Sequence, residues 1–93
     1  MSSAYDYRQE RKELFTDKGQ RIFLKFRDRC DDLLRISGAF TLDKAICEGS
    51  FGGGTSYTHI ACVDRMVELG ELIELGRCGS WAQDRVFARP ARR

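Results

Sequence analysis

Apolar residues recur at three- and four-residue intervals in two stretches of the chain. Ile22, Phe23, Phe26, Cys30, Leu33 and Leu34 form the first stripe, while Lys25, Arg27, Asp28, Arg29, Asp31, Asp32 and Arg35 cover the other faces. This spacing is that of an amphipathic helix and predicts one from Asp17 to Ile36. Thr16 or Asp17 supplies a polar cap at its start. Ser37-Gly38 ends it, with Gly38 suited to a left-handed cap. Ile60, Val63, Met66 and Val67, with Ala61 beside them, form the second stripe. It predicts a helix from Ser56 to Leu69, capped by Thr55 or Ser56 and closed by Leu69-Gly70. Between the two, Thr41 caps a short helix from Leu42 to Glu48, whose apolar face is Leu42, Ala45 and Ile46. Gly52-Gly53-Gly54 then makes a connection, because glycine is costly inside helices and strands but free to take positive φ.

After Gly70 the period changes. Glu71-Leu72-Ile73-Glu74-Leu75 has a β-compatible composition, Gly76-Arg77-Cys78-Gly79-Ser80 is a turn cluster, and Arg85 to Arg89 is a second strand. Two such runs around a glycine-containing connection predict a β-hairpin, which Pro90 stops. Residues 1–16 are polar, with scattered Tyr5, Tyr7, Leu14 and Phe15, and read as an N-terminal arm or a short helix. The expected organisation is that arm, one domain over residues 17–90, and a basic tail at 91–93. There is no internal repeat or low-complexity linker.

A long helix, a short helix, a turn, a third helix and a hairpin make an α+β order in which a helix-turn-helix is followed by a wing. Residues 36–89 resemble a winged helix-turn-helix domain. The resemblance is carried by the junction "CVDRMVELGELIEL". In that family the recognition helix commonly ends in an apolar-rich turn, a leucine and a glycine, and then enters the first wing strand. Val67, Leu69, Gly70 and Leu72 occupy those positions. The Phe51–Thr55 connection departs from the family in being longer and richer in glycine. "ACVDRMVELGEL", after a Gly-Ser-Thr-rich loop, is also similar to small uncharacterised proteins of tailed phages and prophages. The resemblance implies three helices followed by a two-stranded wing, and a non-enzymatic regulator that binds double-stranded DNA. Many winged helices act as dimers, so a homodimer is a further expectation, although no coiled-coil seam is visible.

Length and composition agree with one globular domain. The chain has 93 residues, of which 42% are hydrophobic and 32% charged, and a chain of this size buries roughly two-thirds of its unfolded surface or less. Its formal charge of +2 selects no partner by itself. No apolar run approaches the ~20 residues needed to span a bilayer, and the N-terminus lacks a signal-peptide core. A soluble cytoplasmic protein of a bacterial cell or phage-infected host is expected. The four cysteines, Cys30, Cys47, Cys62 and Cys78, are separated by 17, 15 and 16 positions. Structural zinc sites use closer ligand pairs, so reduced thiols are expected ahead of a metal site or disulfides.

Candidate chemistry is sparse. A nucleotide-binding P-loop needs Lys-Ser or Lys-Thr after its second glycine, whereas Thr55-Ser56-Tyr57 follows the glycines here. A dinucleotide fingerprint needs a preceding buried strand, and Phe40 to Gly49 does not read as one. His59, the single histidine, has Cys62 three residues on, but nucleophile–base pairs are usually assembled across elements in a cleft. No catalytic residue, metal or cofactor is expected.

The contact candidates lie on the last predicted helix and the wing. Thr55, Ser56 and the free N–H groups of that helix's first turn can hold a phosphate. Its solvent side is expected to carry Ser56, Thr58, His59, Cys62 and Arg65, with Glu68 or Asp64 as further candidates. Ser56, Thr58 and His59 suit hydrogen bonds to phosphates or base edges, and Arg65 suits guanine or phosphate. Arg77 and Arg85 flank the wing tip, Arg89, Arg92 and Arg93 form a basic tail, and Arg8, Arg11 and Lys12 form an N-terminal cluster; wing and arm contacts to phosphate are the functional reading, and solvated surface the ordinary one. Trp81 lies between the strands, at the tip or folded onto the core. Against DNA stand Asp64, Glu68 and Glu71, which give residues 56–71 a formal charge of −2 and oppose counterion release. The alternative is a protein-binding winged helix, such as a phage-encoded inhibitor of a host or competitor protein, in which this mixed-charge helix and the wing form the interface.

Overall fold

The computed structural model describes residues 5–47, 56–79 and 84–90. Among them are α1 (Tyr7–Leu14), α2 (Asp17–Ser37), β1 (Ala39–Thr41), α3 (Leu42–Cys47), α4 (Ser56–Glu68), β2 (Ile73–Arg77) and β3 (Arg85–Ala88). The strands form one antiparallel sheet in the order β1-β3-β2.

Local chemistry explains the helix ends. The Asp6 carboxylate accepts from the Arg8 N–H at the start of α1, and Thr16 Oγ1 accepts from the Gly19 N–H at 3.0 Å at the start of α2. Thr41 Oγ1 accepts from the Lys44 N–H at 3.2 Å at the start of α3. Each satisfies a backbone donor that a helix start leaves unpaired. Gly38 closes α2 with φ 79°, a conformation in which a Cβ would crowd the backbone.

The α2 stripe is buried as its spacing predicts: Ile22, Phe23, Phe26, Cys30, Leu33 and Leu34 all lie in the core. They meet Leu42 and Ala45 of α3, Ile60, Ala61, Cys62, Val63 and Met66 of α4, and Leu72 from the connection to β2. Phe40 of β1 and Phe87 of β3 close this core from the sheet, their rings 5.8 Å apart.

Of the two readings of residues 1–16, the short helix is the one present: Tyr7–Leu14 is helical and its Leu14 is buried, so the described residues hold four helices where the winged-helix resemblance implied three. The sheet needs correction. The described residues hold three strands rather than two: Ala39–Thr41 pairs with β3, Phe40 opposite Phe87. Three residues are too few to display an alternating pattern, and this strand exists through its partner. The first hairpin strand also starts later and runs on through Gly76 and Arg77, which had looked like turn. A register shift between Glu74 and Gly76 accommodates the extra residue, with Gly76 at φ 142°, as glycine permits in a bulge. The glycine connection at 52–54, the end of the short helix at Glu48 and the tail at 91–93 lie outside the described residues.

Candidate nucleic-acid interface

The proposed contact residues do not share one surface. Thr55 and Trp81 lie outside the described residues, as does the Ser56 side chain. Thr58 is half-buried and borders a cleft of about 460 Å³, which Glu10, Glu13, Lys18, Gly19, Ile22 and Tyr57 also line. His59 is half-buried and stacks on Phe26 of α2, with centroids 5.8 Å apart and rings inclined by 18°. Arg65 is half-buried beside Glu68, with its guanidinium carbon 5.1 Å from the Phe15 ring centroid. Arg77 is exposed at the end of β2. Arg85 is only 12% exposed at its side chain.

The expected solvent side of α4 is therefore corrected. Cys62 is fully buried, and His59 is a packing residue against α2. The physical cause is that α4 has helices on more than one side. Tyr57, Asp64 and Glu68 lie about 140–180° around the α4 axis from His59 at 100° per residue, and the N-terminal segment covers them. Tyr5 packs edge-on against Tyr57 at 5.7 Å and donates its phenol to Asp64 Oδ2 at 2.6 Å. Tyr7 donates to Glu68 Oε1 at 2.7 Å. Arg11 Nε and Arg65 Nη1 reach the same oxygen at 2.9 and 2.8 Å.

The titration of these groups follows from the contacts. Hydrogen bonds from Tyr7, Arg11 and Arg65 hold the Glu68 carboxyl down at about 2. Burial, and then the bond to Glu68, pushes the Tyr7 phenol up to about 12. Burial and the bond to Asp64 move the Tyr5 phenol upward too. Each shift favours the charge state in which the neutral phenol donates to the carboxylate.

Arg85 is the second node. Its Nη2 reaches Asp64 Oδ1 at 2.7 Å and Glu74 Oε1 at 2.9 Å, and its Nε reaches Glu74 Oε2 at 3.1 Å. Its guanidinium also lies 5.0 Å from the Phe87 ring centroid. Burial alone would favour the neutral form, but the bonds to Glu74 and Asp64 outweigh it and its pKa rises. Arg85 thus ties α4 to β2 and β3. Glu71 is paired as well, with Arg27 Nη2 at 2.7 Å.

Every acid that weighed against DNA thus has an internal cation: Arg85 for Asp64, Arg11 and Arg65 for Glu68, and Arg27 for Glu71. By contrast, Arg8, Lys12, Lys18, Arg21, Lys25 and Arg77 are exposed and form no ion pair among the described residues. Tyr5 and Tyr7 are the residues that sequence reasoning missed. Their signal was faint: two tyrosines in a polar arm, and Tyr7 and Leu14 seven residues apart, hence on one helical face. Arg11 was visible as one of the basic residues of the arm, but its turn inward to Glu68 was not. No helix among the described residues is long and apolar enough to cross a membrane. The thiols of Cys30, Cys62 and Cys78 are free, the first two buried. No protein-family model matches the chain, and no match is found among curated proteins or solved structures.

Proposed function

We propose that the chain is a winged helix-turn-helix module that binds double-stranded DNA, a small regulator rather than an enzyme. In this proposal α2 is the supporting helix, α3 and α4 are the helix-turn-helix pair, and β2 and β3 form the wing, with β1 completing the small sheet beside β3. The order α2-β1-α3-α4-β2-β3 suits that assignment. The observation that carries the DNA-binding part is the internal pairing of Asp64, Glu68 and Glu71, because unpaired acids would repel phosphate. Once these acids are satisfied within the fold, Arg8, Lys12, Lys18, Arg21, Lys25 and Arg77 are left exposed on α1, α2 and β2 to meet a polyanion, beside the exposed acids Glu13, Asp17 and Asp28.

The test is a titration of the purified chain with random duplex DNA at two salt concentrations, followed by Trp81 fluorescence and, independently, by DNA mobility. Binding that weakens steeply with salt supports the proposal. Absence of binding even at low salt removes it. In that case the second reading takes over, a protein-binding winged helix. One observation favours it: Val67, Leu69, Ile73 and Leu75 are exposed near the end of α4 and along β2, Leu75 at 59%. A contiguous apolar patch on a small domain is a common mark of protein contacts, and these four residues are the candidates for one.

A further inference from the structure

In a helix-turn-helix the outward face of the second helix is the one that meets DNA. Here that face of α4 is covered. Tyr57, Asp64 and Glu68 lie on the far side of the helix from His59 and α2, and each touches Tyr5, Tyr7 or Arg11. The covering helix is firmly seated. Leu14 is 1% exposed, the Gln20 side-chain amide donates to the Leu14 carbonyl, and the α1–α2 turn closes so tightly that Gly19 sits against the backbone of Glu13 and Leu14. Whatever approaches α4 from this side meets α1 first.

The outer face of α1 is suited to that meeting. Arg8, Gln9 and Lys12 are exposed and spaced i, i+1 and i+4. Arg8 and Lys12 form no ion pair among the described residues. Arg11 is turned the other way, into Glu68. Glu10 and Glu13 lie on a third side of the helix, along the cleft that they share with Lys18. Arg8 and Lys12 thus stand apart from α1's own acids, at about 100° or more around its axis from Glu10 and Glu13, while Gln9 lies between Lys12 and Glu13.

We infer that α1, not α4, presents the DNA-contacting surface on this side of the domain, through Arg8, Gln9 and Lys12, and that α4 is the strut that positions it. This rests on the DNA-binding proposal above and changes which residues perform it. The partner is the phosphate backbone of a duplex. The complementarity is of charge. Tyr5, Tyr7 and Arg11 are positioning residues: they act by holding α1 on the α4 carboxylates.

The experiment uses the full chain, random duplex DNA and a salt series from about 50 to 200 mM, with three proteins: the unaltered chain, Arg8→Ala/Lys12→Ala, and Tyr7→Phe/Arg11→Gln. Loss of two phosphate contacts lowers the slope of log affinity against log salt by about 2, at ~0.9 per contact, and weakens binding at least about tenfold at the low-salt end. Arg8→Ala/Lys12→Ala is expected to show both effects. Its substitutions are exposed, so its thermal melting should match the unaltered chain and separate lost contact from lost folding. Tyr7→Phe/Arg11→Gln should loosen α1, seen as faster amide exchange over Tyr7–Leu14 with α2 unchanged, and should also weaken binding. If the unaltered chain binds DNA and Arg8→Ala/Lys12→Ala binds equally well with the same slope, the inference is overturned while the DNA-binding proposal stands. If loosening α1 instead tightens binding, α1 is a cover over α4, and the inference is again overturned. If the unaltered chain does not bind DNA at any salt concentration, both fall together.

Discussion

Gly19 is the position at which a single methyl group tests the packing of α1. It lies in the first turn of α2, where replacing glycine by alanine ordinarily stabilises a helix by about 0.5–1 kcal/mol. The local geometry predicts the opposite. A Cβ on Gly19 would stand 2.0 Å from the Glu13 carbonyl oxygen and 2.7 Å from Leu14 Cα. Both are backbone atoms, so no rotamer change relieves the clash and the end of α1 must move by more than an ångström. Overpacking of this kind costs about 1–3 kcal/mol. Lifting Leu14 off the core forfeits about 1.5–3 kcal/mol of apolar burial, and this contribution limits the damage, since α1 can come away while α2, α3, α4 and the sheet stay folded. Gly19→Ala is therefore expected to destabilise by about 2 kcal/mol, and at about 4–8 °C per kcal/mol for a domain of this size Tm falls by roughly 8–16 °C. Differential scanning calorimetry gives the shift, and amide exchange locates it: protection is lost over Tyr7–Leu14 and kept from Ile22 onward. Gly38 is the control. Its φ is 79° with open space around it, so Gly38→Asn, a residue that tolerates this conformation, is expected to be mild, whereas Gly19→Asn is not. A Gly19→Ala protein that melts at or above the temperature of the unaltered chain would refute the packing argument.

Three further outcomes follow from the same contacts. Arg85→Met leaves Asp64 and Glu74 without their shared cation and should cost about 2 kcal/mol, below the 3–5 kcal/mol of a fully buried broken pair because Glu74 keeps some water; urea unfolding measures it, and a loss under 0.5 kcal/mol would count against Arg85 as a structural node. The α1–α4 contact should have a two-sided pH dependence. The Glu68 pKa is lowered from 4.5 to about 2, so its stabilisation is complete above pH 4.5 and lost as pH falls through about 2, whereas the Tyr7 pKa is raised from 10.0 to about 12, so its share is complete below pH 10 and lost as pH rises through about 12. Amide exchange over α1 should show that plateau, and Glu68→Gln should flatten its acid limb; an unchanged limb would place the acid sensitivity elsewhere. Burial pushes the Cys62 thiol up to about 12 and moves Cys30 upward as well, while Cys78 is exposed. An alkylating reagent near neutral pH should therefore modify Cys78 in the folded chain and reach Cys30 and Cys62 only after unfolding; equal labelling rates by peptide mapping would contradict the packed core.

Much of the architecture was legible from local patterns. The α2 stripe from Ile22 to Leu34 is long enough for its period to be unmistakable, and the Thr16 and Gly38 caps fall where the residue types place them. The start of α4 at Ser56 and the strand at Arg85–Ala88 were equally visible. β1 was not, because three residues show no period and its identity depends on pairing with Phe87. Cys62 was placed outward because a single apolar stripe implies one buried face, whereas α4 is flanked by other helices and buries more than one.

The candidate surface divides along the same line. Residue types and spacing determined by themselves that the chain makes capped amphipathic helices followed by β-structure, that its acids crowd α4 and the turn after it, and that its cations concentrate in the arm and around the wing. Only the tertiary structure decided which of those charges remain available. The partners of Asp64 and Glu68 include Tyr5, Tyr7 and Arg11, 57–61 positions away in the chain, and Arg85, 21 away from Asp64. Helical periodicity governs neighbours three or four residues apart. It carries no information about a hydrogen bond that forms only when two distant helices dock, and that docking is what turned the exposed face of this domain from α4 to α1.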